Sequence, residues 1–179
     1  MKLSKPTRVA LWTGVGVSVA FLIVWWIADH RRGMEWAISV VRDRYPDVSQ
    51  ISTASLGAWL EDEKEPPPVI VDTRSAEEFA VSHLPGAERL DSSASDSEIT
   101  TRFRKDQPLT LYCAAGYRAS EMARRLQALG FRDVSNLSGG IFQWANEGRE
   151  LRRSGVRVRQ VHPVRRAFAR LLRPEVRMR

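Results

Sequence analysis

Residues 109–120, LTLYCAAGYRAS, decide the fold of this chain. Leu109–Tyr112 is an apolar run of strand-forming residues, which predicts a buried strand. Small residues then interrupt the pattern, and the apolar spacing predicts a helix over Ser120–Leu129 that ends at Gly130, a typical residue just after a helix. The single cysteine, Cys113, therefore lies in a short loop between a strand and a helix.

This position suits a reactive thiol. The start of a helix offers unpaired backbone N–H groups and the positive end of its dipole, both of which favour an anion, and the thiolate is the reactive form of cysteine. Arg118 adds a cation to the same loop, and ligands of open α/β sheets bind beyond the carboxyl ends of the strands. The alternative is a buried structural cysteine, although Ala114 and Ala115 offer little to bury it against.

Length and composition limit the other possibilities. A chain of 179 residues fits one domain with appendages. One cysteine excludes an internal disulfide, a cysteine-based structural zinc site and a resolving thiol within the chain. None of the three histidines, His30, His83 and His162, has a partner at metal-ligand spacing, so we expect neither a metal nor a cofactor.

The net charge of +7 is unevenly distributed. Residues 31–150 hold 19 Asp and Glu against 15 Lys and Arg, whereas residues 151–179 hold ten Arg against Glu175 alone. The basic character therefore belongs to a tail, and we expect no nucleic-acid partner for the body of the protein.

An uncharged run of 20 residues, Val9–Ala28, follows a basic flank at residues 1–8. About 20 apolar residues span a bilayer as a helix, and Trp12, Trp25 and Trp26 lie near the two ends, where interfacial aromatics occur. A cleaved signal peptide would need small residues before the cut, and a buried core helix is seldom so apolar. We interpret residues 9–28 as one uncleaved transmembrane helix, with basic residues on both sides that leave its orientation open.

Two further segments flank the predicted domain. Residues 29–48 form a juxtamembrane helix or linker, with Met34, Trp36, Ala37, Val40 and Val41 on one face, and we expect it to hold the domain away from the membrane surface. Residues 151–179 form an Arg-rich tail with a basic amphipathic pattern over Val161–Leu172. This tail can lie on an anionic leaflet, bind an acidic protein or remain a partly disordered extension. Binding of the tail to an anionic leaflet would favour a domain on the cytoplasmic side of the membrane, because anionic lipid attracts the tail there.

The predicted domain, residues 49–150, alternates short strands and helices, which indicates a mostly parallel sheet with helices on both faces. Thr53 is the expected N-cap of the first helix of the domain, and Ser75 with Glu78 fits a capping box. The predicted strands cover residues 50–52, 69–72, 88–90, 109–112 and 131–137, and the predicted helices cover residues 54–60, 98–103, 120–129 and 141–145, with a further helix after Ser75.

Four segments in this order resemble a rhodanese (sulfurtransferase) domain across roughly residues 49–150: Val71–Phe79, Ser82–Ala87, Cys113–Ser120 and Leu137–Trp144. The resemblance implies five parallel strands flanked by helices and a catalytic cysteine after a central strand. It also implies a reaction in which an anionic sulfane-sulfur donor, such as thiosulfate, forms a cysteine persulfide. A nucleophilic acceptor, which is a thiol, a cyanide-like anion or a protein, then takes the sulfur.

Carried over to this chain, the resemblance makes Cys113 the nucleophile. The loop Ala114–Arg118, which is Ala114, Ala115, Gly116, Tyr117 and Arg118, would cradle the persulfide and the donor with backbone N–H groups, and Arg118 would stabilise negative charge. The uncharged Ala114 and Ala115 select no particular donor. Asp72 and Arg74 are expected to form an ion pair under the loop. His83 and the pair Gly139–Gly140 are expected to serve turns, and Trp144 to pack in the core.

Two other functions compete with a membrane-anchored sulfurtransferase. The loop from Cys113 to Arg118 is six residues long, whereas the related dual-specificity phosphatases use seven, so a phosphatase is disfavoured. A non-enzymatic rhodanese-like module that docks a partner at the membrane is the other alternative, and the presence of Cys113 argues against it.

Overall fold

A five-stranded parallel sheet forms the centre of the computed structural model, which describes residues 30–178. The strand order is β1-β5-β4-β2-β3, and all four pairings are parallel. The prediction of a five-stranded parallel sheet flanked by helices is confirmed. The strands are β1 (Ser49–Ile51), β2 (Val69–Asp72), β3 (Glu88–Arg89), β4 (Leu109–Tyr112) and β5 (Val134–Leu137).

Six helices connect and cover these strands within residues 30–178. They are α1 (His30–Arg44), α2 (Thr53–Glu61), α3 (Ala76–Val81), α4 (Asp96–Arg102), α5 (Tyr117–Ala128) and α6 (Gly140–Asn146). A small antiparallel hairpin follows, formed by β6 (Leu151–Arg153) and β7 (Val156–Val158), and then two 3-10 segments, Arg166–Leu171 and Pro174–Val176.

Strand β4 is wholly buried between β2 and β5, and its side chains divide between two core layers. Leu111 packs with residues of α4 and α5 on one face of the sheet, whereas Tyr112 packs with residues of α2 and α6 on the other. Because all the strands are parallel, Asp72 at the end of β2 lies at the same edge as Cys113 and Ser138, which follow β4 and β5. This edge is where the site forms.

The predicted basic flank at residues 1–8 and the predicted transmembrane helix at residues 9–28 lie outside the described residues. Within residues 30–178, none of the helices combines the length and the apolar composition needed to cross a bilayer.

Helix α1, the predicted juxtamembrane segment, packs on the domain itself. Met34 and Val41 are buried, each in a different core layer, so α1 contacts both layers. Of the other predicted members of this face, Ala37 is partly buried, whereas Trp36 and Val40 are exposed. One face was predicted because the spacing is helical, but the domain covers only part of it.

The described part of the Arg-rich tail is folded onto the same domain. Val161 and Leu172 are fully buried, Leu171 is nearly so, and all three belong to the layer that contains α6. The Asn146 side chain binds the carbonyl of Leu171 at 2.7 Å and the amide of Arg173 at 2.9 Å. Of the three alternatives for the tail, a partly disordered extension does not describe residues 151–178.

Four helix starts differ from the sequence prediction by one to three residues, and those of α5 and α2 have identifiable causes. Helix α5 begins at Tyr117, three residues before the predicted Ser120, because Gly116 in the left-handed region starts it without a side-chain cap. Helix α2 is capped by Ser52, whose hydroxyl accepts from the amide of Ser55, and not by Thr53. The Thr53 hydroxyl instead bonds the carboxylate of Glu147.

Candidate active site

Cys113 follows the central strand β4 directly and is 2% exposed. Its Sγ accepts a hydrogen bond from the backbone amide of Gly116 at 3.2 Å. Gly116 has φ +104°, and a Cβ there would lie 3.0 Å from Nδ2 of the buried Asn136. The turn that aims an amide at the sulfur therefore requires glycine.

The start of helix α6 also holds the loop from Cys113 to Arg118, called the Cys113 loop below. The amide of Ile141 donates to the carbonyl of Cys113 at 2.9 Å, and the amide of Phe142 donates to the carbonyl of Ala114 at 3.0 Å. A Cβ on Gly140 would lie 2.3 Å from the Cys113 carbonyl oxygen, so only glycine permits this approach. The sequence predicted a tight turn at Gly139–Gly140, and the structure adds the contact that fixes two peptide planes of the loop.

Arg118 lies in the first turn of α5, where a buried carboxylate holds it. Its Nη1 and Nη2 each donate to Glu78 at 2.9 Å, and Glu78 is 4% exposed. Glu78 also accepts from the amide of Ser75 at 3.1 Å, which confirms the predicted capping box. Sequence reasoning placed Glu78 in that box but missed its contact with Arg118. The only signal in the sequence was that the resemblance includes both the segment that contains Glu78 and the segment that contains Arg118.

The charges of this pair stabilise each other. Burial alone raises the pKa of Glu78, but the hydrogen bonds and charge of Arg118 outweigh it, so the pKa lies below its ordinary 4.5. The hydrogen bonds to Glu78 raise the pKa of Arg118 above its ordinary value, and the Cys113 side chain acts in the same direction. Arg118 is thus a fixed cation between a carboxylate and the thiol.

Asp72 and Arg74 form the predicted ion pair, and both are fully buried. The Arg74 Nε lies 2.9 Å from Asp72 Oδ1, and its Nη2 donates to the carbonyl of Ser82 at 2.6 Å. The guanidinium also lies over the ring of Tyr112, whose hydroxyl accepts from the amide of Leu84 at 3.1 Å. The pair therefore ties the turn after α3 to the residue just before Cys113.

His83 and Trp144 have structural contacts, as expected. The His83 ring stacks on Phe79 at 4.3 Å, and its Nδ1 lies 3.0 Å from the carbonyl of Leu84. Trp144 is buried and donates from Nε1 to the carbonyl of Glu150 at 2.8 Å. Within residues 30–178, no group of three or more His, Cys, Asp or Glu is placed to hold a metal ion.

A cavity of about 780 Å³, called the Cys113 pocket below, opens above the thiol. Its floor contains Cys113, Ala114, Ala115, Tyr117 and Arg118, so the structure gathers five of the six predicted loop residues, and Gly116 supplies the amide beneath the sulfur. The walls come from α1, the α6 residue Phe142 and the tail: Arg32, Gly33, Trp36, Ala37, Val40 and Val41, and Val164, Arg165, Phe168, Arg170 and Leu171. Sequence reasoning assigned none of these wall residues to a site.

The sheet order, the loop after the central strand and the anion-favouring geometry around Cys113 define a rhodanese-like protein. A profile of the Rhodanese-like domain matches residues 53–147, and the chain belongs to this family. Helix α1 and the tail residues that wall the pocket lie outside the matched residues.

Individual relatives agree with this assignment. The chain is 31% identical over 101 residues to a sulfurtransferase of Allochromatium vinosum, a match that covers 56% of this chain and 92% of that protein. It is 30% identical over 100 residues to the probable adenylyltransferase/sulfurtransferase MoeZ of Mycobacterium tuberculosis, and the match covers 55% of this chain but only 25% of that protein. The crystal structure of a rhodanese-like domain protein from Staphylococcus aureus is 29% identical, with a TM-score of 0.53, over 60% of this chain and 99% of that one.

Proposed function

We propose that this protein is a membrane-anchored sulfurtransferase that carries sulfane sulfur on Cys113. The observation that carries the proposal is the Gly116 amide, which donates to the Cys113 sulfur at the floor of an open pocket. An amide in this position stabilises negative charge on sulfur, both in the thiolate and in the persulfide that follows. The Allochromatium vinosum relative named a sulfurtransferase supports the same reaction class.

In the first step, the Cys113 thiolate attacks the sulfane sulfur of an anionic donor. With thiosulfate, a new S–S bond forms, the S–S bond of the donor breaks, and sulfite leaves with the electron pair. Arg118 attracts the anionic donor, and its contact with Glu78 keeps its position fixed. The amides of the Cys113 loop hold the charge that remains on the outer sulfur.

In the second step, a nucleophilic acceptor attacks the outer sulfur of the persulfide. With cyanide, thiocyanate forms and the Cys113 thiolate returns. A thiol or a protein nucleophile reacts in the same sense. Because the chain has one cysteine, no second thiol within it can displace the sulfur as an internal disulfide. The sulfur must therefore pass to another molecule.

The membrane part of the proposal rests on residues 9–28, a span of uncharged, mostly apolar residues. The span ends two residues before α1, which packs directly on the domain, so the domain would lie close to the bilayer. The exposed Arg165, Arg166 and Arg170 favour an anionic leaflet, and we place the domain on the cytoplasmic side.

The catalytic test compares the full chain in lipid nanodiscs with its Cys113→Ser variant. Each is incubated with thiosulfate and cyanide, thiocyanate is measured, and intact mass reports an added sulfur atom. We expect turnover and a one-sulfur adduct in the wild type and neither in the variant. A folded wild type that acquires no sulfur from several donors would contradict the transferase and favour a docking module.

The membrane test uses carbonate extraction of cells that express the full chain. We expect the protein to stay in the membrane fraction, and a variant lacking residues 2–28 to leave it. Release of the full chain by carbonate would rule out a transmembrane anchor without affecting the catalytic proposal.

A further inference from the structure

The Cys113 pocket owes its size to two segments outside the family-matched residues. Met34 of α1 and Leu171 of the tail are both buried in the same core layer, and Leu171 Cδ2 lies 3.0 Å from where a Cβ on Gly33 would be. The Asn146 side chain fixes the carbonyl of Leu171 at 2.7 Å. The wall that α1 and residues 164–171 form together, called the α1–tail wall below, is therefore a packed part of the fold.

The mouth of this pocket carries much of the exposed apolar surface of the described residues. Trp36 is 65% exposed, Phe168 is 45% exposed, and Val40 and Tyr117 are exposed beside them. Clustered exposed apolar side chains mark binding sites, whereas single ones are ordinary. Val156, which is 66% exposed, lies apart on β7 and does not line the pocket.

The dimensions and charge of the pocket specify the kind of ligand. A volume of about 780 Å³ lies in the range of sites that enclose a drug-sized organic molecule, and thiosulfate alone would leave most of it empty. Apart from the arginines, the walls are mainly apolar and aromatic, and Arg118 with Arg165 and Arg170 supplies positive charge. Apolar walls with a few cations fit an amphiphilic anion.

We propose that the Cys113 pocket binds an organic sulfane-sulfur anion whose apolar body lies between Trp36 and Phe168. This inference rests on the proposed sulfurtransferase and names its donor class. An alkanethiosulfonate represents the class as a probe. The Cys113 thiolate would attack its terminal sulfur, a new S–S bond would form, and the bond between the two donor sulfurs would break. The alkanesulfinate would leave with the electron pair.

The first experiment measures binding without chemistry. Methanesulfonate, butanesulfonate and hexanesulfonate, which transfer no sulfur, are titrated calorimetrically into the full chain in nanodiscs, with empty nanodiscs subtracted. Burial of each added methylene should tighten binding by about fourfold. Trp36→Ala and Phe168→Ala should each weaken hexanesulfonate by about fivefold or more and leave methanesulfonate unchanged. Val156→Ala is the matched control, because it removes an equally exposed apolar side chain elsewhere, and it should change neither affinity.

The second experiment measures kcat/KM for sulfur transfer to cyanide from methanethiosulfonate, butanethiosulfonate and hexanethiosulfonate. We expect the same increase with chain length, and its loss in the Trp36 and Phe168 variants. Affinity that does not depend on chain length, or equal losses in Val156→Ala, would overturn the donor class. If sulfur transfers equally from every probe, the donor class fails while the sulfurtransferase stands. Binding that depends on chain length, without sulfur transfer from any donor, would support the apolar binding site but contradict the sulfurtransferase.

Discussion

Replacing Gly140 by alanine is expected to break the contact between α6 and the Cys113 loop. Gly140 has φ +55°, and the new Cβ would lie 2.3 Å from the Cys113 carbonyl oxygen and 2.7 Å from that of Ala114. Both neighbours are backbone atoms, so no side chain can move aside. Relief requires α6 to shift away from the carbonyls that Ile141 and Phe142 now bind.

The expected loss of unfolding free energy in Gly140→Ala has two parts. A residue with a Cβ in the left-handed region costs about 1–2 kcal/mol. Loss of two backbone hydrogen bonds adds about 0.5–1.5 kcal/mol each, which gives a destabilisation of about 2–5 kcal/mol in total. Gly148→Ala separates the two parts, because Gly148 has φ +74° but nothing within 4 Å of its Cβ position. We expect it to cost only the conformational part, about 1–2 kcal/mol.

Urea unfolding of both variants, followed by far-ultraviolet circular dichroism, gives the two free energies of unfolding. Thiocyanate formation under native conditions then reports the site. We expect Gly140→Ala to be the less stable variant and to lose more activity than Gly148→Ala, because only Gly140 contacts the Cys113 loop. Equal destabilisation of the two variants, or wild-type activity in Gly140→Ala, would refute the role of α6 in fixing the loop.

Three further predictions concern the two ion pairs of the site. Arg118→Lys cannot make the two-pronged contact with Glu78, and we expect a loss of about 1–2 kcal/mol in unfolding free energy, moderated by solvent screening, together with slower persulfide formation by intact mass. Arg74→Met leaves the charge of Asp72 buried without a partner and should cost about 3–5 kcal/mol in urea unfolding. Because the folded pKa of Glu78 lies below 4.5, its contribution to stability is present above that pH and is lost as the pH falls through the folded pKa. Unfolding free energies measured from neutral to acid pH should therefore show the advantage of wild type over Glu78→Gln shrinking at acid pH.

Each of these predictions has a control or an outcome that would contradict it. Arg104→Lys disrupts a similar two-pronged contact with Asp106 on the exposed surface and should leave stability and activity unchanged. Combining Arg74→Met with Asp72→Asn should cost less than the sum of the two single changes, and simple additivity would contradict a coupled pair. An advantage of wild type over Glu78→Gln that is the same at every pH would show that the charge of Glu78 does not matter.

The sequence predicted the sheet well because its signals are local. The apolar runs of β2 and β4 have the predicted bounds, since each is flanked by residues that end a strand. The start of α5 was predicted three residues late, because Gly116 begins the helix through a left-handed backbone and offers no side-chain cap to recognise. Helix starts of this kind leave little trace in a single sequence.

The long-range contacts could not be predicted from the spacing of apolar residues in the sequence. Helical spacing grouped Met34, Trp36 and Val41 on one face, but which of them the domain covers depends on its shape. In the tail, the same amphipathic pattern suits a lipid surface or a protein core, and the structure buries Leu171 and Leu172 while it leaves Phe168 half exposed. The pocket walls could therefore be identified only from the structure, whereas the thiol and its loop were evident from the sequence.

The α1–tail wall also affects the order in which the protein folds and the way in which it opens locally. Contacts between segments so distant in sequence form late in folding, because the chain between them must first be ordered. Such contacts are also candidates for the first local opening, which would leave the sheet and the Cys113 loop intact. Opening of the wall would then remove the apolar sides of the pocket while the thiol and its loop keep their positions. Hydrogen exchange that is faster in α1 and residues 164–171 than in β4 would reveal this opening.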